Sequence, residues 1–254
     1  MLAANLVFID HLNCYWITLN KKPRLLVVED EQAIRAGLID VLVFHGFDVD
    51  WADNGNDGLT KSLSGQFDLL LLDVMLPGVD GFEICNQVRE RDKEQAIIML
   101  TAKNADEDIV RGLSYGADDY IAKPFSIAQL VLRIQAVLRR SHSVCVANKT
   151  IQLSDQLTID TDSLIGQSNG KTINFTRKEI ELLQYLNAHS DRPISREELL
   201  NKVWGYGKDI DIETRTVDIH IAKIRRKIEP NHKEPQYLLT VRGAGYRLLS
   251  ADTN

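Results

Sequence analysis

The sequence predicts two fused domains, an α/β domain built on a doubly wound parallel sheet and then a smaller α+β domain. Three observations carry this prediction. Up to about residue 140, short continuous apolar runs alternate with helical periods; beyond residue 175, capped helices lead into a glycine-containing hairpin signal; and the charge balance changes between the halves. Residues 171–249 hold 15 Lys and Arg against 11 Asp and Glu, a balance of +4, whereas the whole chain stands at -6, leaving -10 elsewhere. An acidic half is joined to a basic one, so the overall sign does not exclude a nucleic-acid partner. At 254 residues, 44% hydrophobic and 26% charged, the chain can bury a core in each of two domains and is not disordered throughout.

In chain order, residues 1–22 contain apolar stretches interrupted by Asp10 and His11, with no basic segment ahead of them. They are too short for a membrane span and read as a loose extension, so no membrane association is expected. Cys14, Cys85 and Cys145 form neither a CxxC pair nor an even-numbered framework. That usage suits a reducing cytoplasm and argues against a thiolate metal site.

The runs at 25–28, 69–72 and 97–100 are apolar throughout, as strands buried on both faces should be. Between them, Ile34, Leu38, Val41 and Leu42, and later Leu130, Ile134, Val137 and Leu138, recur at helical spacing, so helices should cover the sheet. Five such units predict a flavodoxin-like (βα)5 domain over residues 23–140. In that architecture ligands bind beyond the carboxyl ends of the strands, and here those ends carry chemistry. The first run ends in Glu29 and Asp30, the third in Asp73, the fourth in Thr101 and the fifth in Lys123 followed by Pro124. Carboxylates gathered on one rim repel one another, which a divalent cation resolves, and oxygen-only ligands favour Mg²⁺. With that charge screened, Asp73 can attack a phosphoryl donor in line while Lys123 and the cation stabilise the transferring oxygens and Thr101 donates a hydrogen bond to one of them.

These residues and the segments LLVVEDE, LLLLDVMLPGVDGFEIC, IIMLTA and GADDYIAKPF resemble the receiver domains of two-component response regulators. The resemblance implies Asp73 as phospho-acceptor; Glu29, Asp30, Asp73 and the carbonyl of Met75 as Mg²⁺ ligands; Thr101 and Lys123 as phosphate-sensing residues; and Tyr120 as the switch aromatic. It also implies a cis bond between Lys123 and Pro124, and a sensor histidine kinase as the donor of the phosphoryl group. The rival reading is an aspartate-nucleophile phosphatase of the haloacid dehalogenase type. That family needs a second carboxylate two residues after the nucleophile, where this chain has Met75. The chain is therefore not expected to be an enzyme with a separate turnover substrate.

Residues 141–150, SHSVCVANKT, lack a helical period and read as a linker. From there to Phe175 short alternating runs, including Leu157 with Ile159 and Leu164 with Ile165, predict a small antiparallel sheet too short to be a domain alone. Thr176 with Glu179, and Ser195 with Glu198, each predict a capping box opening a helix. A third helix over about 214–228 puts Val217, Ile221, Ile224 and Ile228 on one core-facing stripe. Its opposite face carries Arg215, Ile219, Ala222, Lys223 and Arg226. On that face Ile219 suits thymine methyl groups and Lys223 base edges in a major groove, with Arg215, His220 and Arg225 placed to reach phosphates. The run YLLTVRGAGYRLL then predicts a hairpin turning at Gly243 and Gly245, with Arg242 near its tip.

Helices and hairpin together, through FTRKEIELL, SREELLNKVWG, RTVDIHIAKIRRKIE and TVRGAGYRLL, resemble the winged helix-turn-helix effectors of the OmpR/PhoB family over 151–249, leaving 250–254 as a tail. The resemblance implies a major-groove helix, Arg242 in the neighbouring minor groove, Thr240 on the backbone, promoter DNA and RNA polymerase as partners, and a cytoplasmic transcription regulator. It further implies a homodimer formed on phosphorylation through the receiver's fourth helix, fifth strand and fifth helix, with Asp118 paired to Arg140 and Asp119 to Arg133 across a two-fold axis. Two other readings differ in class: a regulator that binds DNA without phosphorylation, and a receiver acting through protein contacts. The complete set of pocket residues disfavours the first and the basic helix the second.

Overall fold

The computed structural model describes residues 22–102, 115–138, 149–206 and 215–249. Arg140 and the expected extension, most of the linker and the tail lie outside them. The first domain alternates β1 (Arg24–Val28), α1 (Gln32–Phe44), β2 (Asp48–Ala52), α2 (Gly55–Ser62), β3 (Leu69–Asp73), α3 (Gly81–Arg91), β4 (Ala96–Ala102), β5 (Asp119–Lys123) and α4 (Ile127–Leu138). The strands form one parallel sheet in the order β2-β1-β3-β4-β5.

Side chains alternate across a strand, and here both faces are apolar. Leu26, Val28, Leu70, Leu72, Ile97 and Met99 meet Phe82, Ile84 and Val88 from α3 on one side of the sheet. Leu25, Val27, Leu69, Leu71, Ile98 and Leu100 meet Leu38, Leu42, Leu130 and Ile134 from α1 and α4 on the other. That is why β1, β3 and β4 read as unbroken hydrophobic runs. The register sets Val28 beside Leu72, Asp73 beside Leu100 and Ala102 beside Lys123, so the carboxyl ends of β1, β3, β4 and β5 share one rim.

The second domain opens with the antiparallel sheet β6 (Thr150–Ser154), β7 (Leu157–Asp160), β8 (Ile165–Ser168) and β9 (Lys171–Asn174). Then come α5 (Arg177–Ala188), α6 (Arg196–Lys202), α7 (Arg215–Ile228) and the hairpin β10 (Leu238–Val241) with β11 (Gly245–Leu248). Ile151, Leu157, Ile159 and Phe175 share one core with Leu182, Leu183, Leu199, Val217, Ile221, Ile224 and Leu248, so the small sheet is an integral layer of this domain. Leu164 sits in the turn before β8 with φ 59°, outside the strand its apolar character suggested.

The two expected capping boxes differ. At Thr176 both halves form, the hydroxyl accepting from Glu179 N–H and the Glu179 carboxylate accepting from Thr176 N–H. At Ser195 only the hydroxyl half forms, 3.1 Å from Glu198 N–H. The Glu198 carboxylate is taken instead by both terminal nitrogens of Arg192, at 2.9 and 2.7 Å, and by Tyr185 Oη at 2.7 Å. A charged fork outcompetes a single backbone donor.

The hairpin is tied back to the connection between α5 and α6 by mutual backbone bonds between Ile194 and Tyr246. Gly245 makes this approach possible: its φ is +120°, and a Cβ there would lie 2.0 Å from the Ile194 carbonyl oxygen. Gly245→Ala is therefore expected to destabilise the second domain by roughly 2 kcal/mol or more, read as a lowered midpoint in urea unfolding. An unchanged midpoint would contradict this packing.

Candidate functional site

At the rim, β1 delivers Glu29 and Asp30, β3 ends on Asp73, β4 carries Thr101 and β5 ends on Lys123. The Lys123 ammonium sits between two carboxylates, 2.8 Å from Glu29 Oε2 and 2.8 Å from Asp73 Oδ2. Asp73 Oδ1 also accepts from Met75 N–H at 3.4 Å. Glu29, Asp73 and Thr101 are buried, whereas Asp30 and the Met75 side chain are exposed, which leaves the site an open side. The Lys123–Pro124 peptide bond is cis.

The electrostatics are those of a site short of positive charge. Burial, and after it the neighbouring Asp73 charge, raise the Glu29 carboxyl above its usual range despite the bond from Lys123. Burial works against the Lys123 ammonium, but the bonds to Asp73 and Glu29 outweigh it and raise its pKa, so Lys123 keeps its proton throughout neutral pH. Carboxylate oxygens of Glu29, Asp30 and Asp73 lie within 4.8 Å of one another. Glu29 Oε1 is buried with no hydrogen-bond partner among the described residues. Three carboxylates, one ammonium and an unpartnered buried oxygen fit a hard divalent cation with oxygen ligands.

Tyr120 is buried among the apolar residues of the sheet face shared with α3, and burial raises its phenol well above the ordinary value. Beside it on β5, Asp118 and Asp119 are buried. Asp118 pairs with Arg89 at 3.0 Å, and Asp119 pairs with Arg133 of the same chain at 2.8 Å. The Asp119–Arg133 pair expected across a two-fold axis is thus closed within one chain, because β5 and α4 bring the two side chains together.

On the second domain, Thr240 and Arg242 stand exposed on the hairpin. Arg225, expected near phosphates, is half-buried and bonded to the hairpin, with Nε on Leu238 O at 2.8 Å and a terminal nitrogen on Thr240 Oγ1 at 2.7 Å. The core stripe of α7 is as the periodicity places it, with Val217, Ile221, Ile224 and Ile228 buried. Arg215 begins the helix, and Ala222 and Arg226 are exposed. The middle of the opposite face is covered. Ile219 packs against the apolar cluster of the first domain that also holds Cys85 and Val88. Lys223 is 5% exposed, and His220 is fully buried, edge-on to Trp204 with Nδ1 2.9 Å from Thr216 O.

Trp204, Tyr206 and Thr216 carried no signal as contact residues in the sequence. The groups they meet, Asp118 and Asp119, lie 86 to 97 positions away, and only the assembled fold brings them together.

A family model described as response regulator receiver domain matches residues 25–135, and one described as transcriptional regulatory protein, C terminal, matches residues 170–248. Over 222 residues the chain is 42% identical to response regulator ArlR of Staphylococcus haemolyticus (strain JCSC1435), covering 87% of this chain and 97% of that protein. The chain belongs to the response regulators. It joins a receiver domain to an OmpR/PhoB-type DNA-binding domain, a combination found in transcription regulators and one that implies a kinase and promoter DNA as partners. Among solved structures, a cysteine-to-serine mutant of RitR is similar with a TM-score of 0.70 at 28% identity, covering 90% of this response regulator and 100% of that chain. A cysteine-to-aspartate mutant of RitR gives a TM-score of 0.68 at the same identity and coverage. No helix among the described residues of the response regulator is long and apolar enough to cross a membrane.

Proposed function

We propose that this response regulator accepts a phosphoryl group on Asp73 from a phosphohistidine of a sensor histidine kinase, and that the modified receiver dimerises and regulates transcription at specific promoters. The observation that carries the reading is the Lys123 ammonium bridging Glu29 and Asp73 at the rim where three carboxylates meet. An Asp73 oxygen bonds to phosphorus as the P–N bond breaks, and the departing imidazole nitrogen takes up a proton. Lys123, which holds its proton, neutralises charge gathering on the phosphoryl oxygens, and Thr101 at the end of β4 donates to one of them. Glu29, Asp30, Asp73 and the carbonyl of Met75 would hold Mg²⁺, which when bound supplies further positive charge to the phosphoryl oxygens. The new acyl phosphate draws Thr101 towards it, and Tyr120, buried on β5, carries the change to the face formed by β5 and α4.

In this reading α7 enters the major groove, where Lys223 and Ile219 read base edges and Arg215, His220 and Arg225 approach phosphates; Thr240 touches the backbone and Arg242 enters the minor groove. Residues 23–140 are the receiver, 141–150 the linker and 151–249 the effector, working in the cytoplasm with RNA polymerase at the promoter. Dimerisation uses the receiver face that carries Asp118, Asp119 and Arg133, with Arg140 beyond the described residues.

Incubation with phosphoramidate and Mg²⁺ should add one phosphoryl group to the intact protein, seen by mass spectrometry, and chelation of the metal should stop it. Addition that proceeds at the same rate with the metal chelated would contradict the assignment of the carboxylate cluster.

A further inference from the structure

Glu29 and Asp30 sit where β1 passes into α1, and the two are placed by different means. Glu29 is buried and its carboxylate is bonded to Lys123. Asp30 is exposed, so its carboxylate goes where its main chain carries it. A capping side chain does not fix that main chain, since Glu31 at the N-cap makes no side-chain capping bond. Arg35, in the first turn of α1, does. Its Nη1 donates to Glu29 O at 2.7 Å and to Asp30 O at 2.9 Å, two charge-assisted bonds from one nitrogen to consecutive carbonyls. From the neighbouring strand, Ala52 O accepts from Glu29 N–H at 3.1 Å, so the main chain of Glu29 is held on both sides.

The Arg35 guanidinium has a support of its own. Its Cζ lies 4.9 Å from the centre of the Trp51 ring, on the outermost strand β2. Ala52 turns to the side of the sheet that α3 covers, so Trp51 turns to the side of α1. Trp51 is fixed in its turn by α2: Lys61 Nζ donates to Trp51 O at 2.7 Å and to Asp50 Oδ1 at 2.8 Å, and the same Asp50 oxygen accepts from Trp51 N–H at 2.7 Å. With 44% of its surface exposed, this indole is better suited to carry a cation than to fill a core.

We infer that Arg35 is a positioning residue for the metal site, setting the places of the Glu29 and Asp30 carboxylates through their main chain, with Trp51 holding its guanidinium in line. The inference rests on the reading of Glu29, Asp30 and Asp73 as Mg²⁺ ligands. Charge and position pull in opposite directions here. A guanidinium near a dication repels it, so loss of the charge alone would tighten Mg²⁺ binding. Loss of the two carbonyl bonds frees the loop and weakens binding, because a ligand that must first be ordered binds less tightly. The direction of the change therefore separates the two effects.

Isothermal titration of the full chain with Mg²⁺, without phosphodonor, supplies the test. Arg35→Met should weaken Mg²⁺ binding about tenfold, the usual cost of losing a residue that orients a metal ligand. Arg35→Lys, which keeps the charge and can still donate to a carbonyl, should recover part of that loss. Trp51→Leu should weaken binding roughly two- to fivefold, the worth of an exposed cation–π contact. Phosphoryl incorporation from phosphoramidate gives a second readout: Arg35→Met should need about tenfold more Mg²⁺ for its half-maximal rate, with the rate at saturating Mg²⁺ within about threefold of wild type. A domain merely damaged would lose the saturating rate as well, and that result would overturn the inference. Mg²⁺ binding to Arg35→Met as tight as in wild type, or tighter, would overturn it too, and wild-type affinity in Trp51→Leu would overturn the part given to the ring. Asp30→Asn keeps the two levels apart. If it binds Mg²⁺ like wild type, the ligand reading fails and the inference with it; if it loses Mg²⁺ while Arg35→Met keeps it, the positioning role alone fails.

Discussion

Asp73→Ala is expected to abolish phosphoryl incorporation, with the rate from phosphoramidate falling on the order of a hundredfold or more. The substitution removes the nucleophilic oxygen and one of three carboxylates in the cation cluster, yet it leaves Lys123 bonded to Glu29 at 2.8 Å. The pocket therefore keeps an internal ion pair, and loss of incorporation is not loss of the fold; an unaltered circular dichroism spectrum checks this. Lys123→Ala differs in kind. It retains every proposed metal ligand, so Mg²⁺ binding should persist, while the phosphoryl oxygens lose their ammonium and phosphorylation should no longer alter DNA affinity. Stoichiometric incorporation into Asp73→Ala would remove Asp73 from its proposed role.

Glu179→Ala is expected to produce the largest loss of stability, about 3 to 5 kcal/mol, because it removes the ion-pair partner of the buried Lys223 ammonium and leaves Lys227 with the Asn174 carbonyl. Lys227 Nζ lies 2.5 Å from Glu179 Oε2 and Lys223 Nζ 3.8 Å from Oε1, and the same carboxylate accepts from Thr176 N–H at 2.9 Å. Burial alone would raise this carboxyl, but Lys227 and then Lys223 overcome it and hold it down at about 2. A depressed carboxylate pKa contributes stability that is present above the unfolded value and lost as pH falls through the folded one. The contribution, about 3 kcal/mol, should thus be complete at neutral pH and fade between about pH 4.5 and pH 2. Urea unfolding at pH 7 and at pH 3 measures both points. A Glu179→Ala chain as stable as wild type at pH 7 would show that the cluster contributes nothing.

Glu179 also marks how far the sequence could be read. Its place in a capping box was legible, since Thr176 and Glu179 stand at the required spacing before an apolar run. Its pairing with Lys227 was not, because that partner comes from a helix 48 residues later and the contact depends on how α5 and α7 pack. The same division runs through the molecule. Strand ends were legible because parallel strands buried on both faces read as unbroken apolar runs, so Glu29, Asp73, Thr101 and Lys123 stood out where those runs stop. Periodicity on α7 gave its core stripe and its opposite face. It could not show that a second domain covers that face, since helical spacing gives a direction and not an occupant. Asp119 and Arg133 were visible as complementary charges, and spacing could not say whether they meet within one chain or between two. At Ser195 the local pattern promised a reciprocal cap, which Arg192 and Tyr185 prevent by binding Glu198 first.

Whether phosphorylation of Asp73 controls DNA binding is decided by fluorescence anisotropy of the full chain on a DNA site selected from a random pool, with and without phosphoramidate and Mg²⁺, in wild type and in Asp73→Ala. Phosphodonor should strengthen binding of the wild-type chain by roughly tenfold or more, as uncovering α7 and pairing half-sites require, and should leave Asp73→Ala unchanged. Equal affinity of the wild-type chain with and without phosphodonor, at full phosphoryl incorporation, would contradict it.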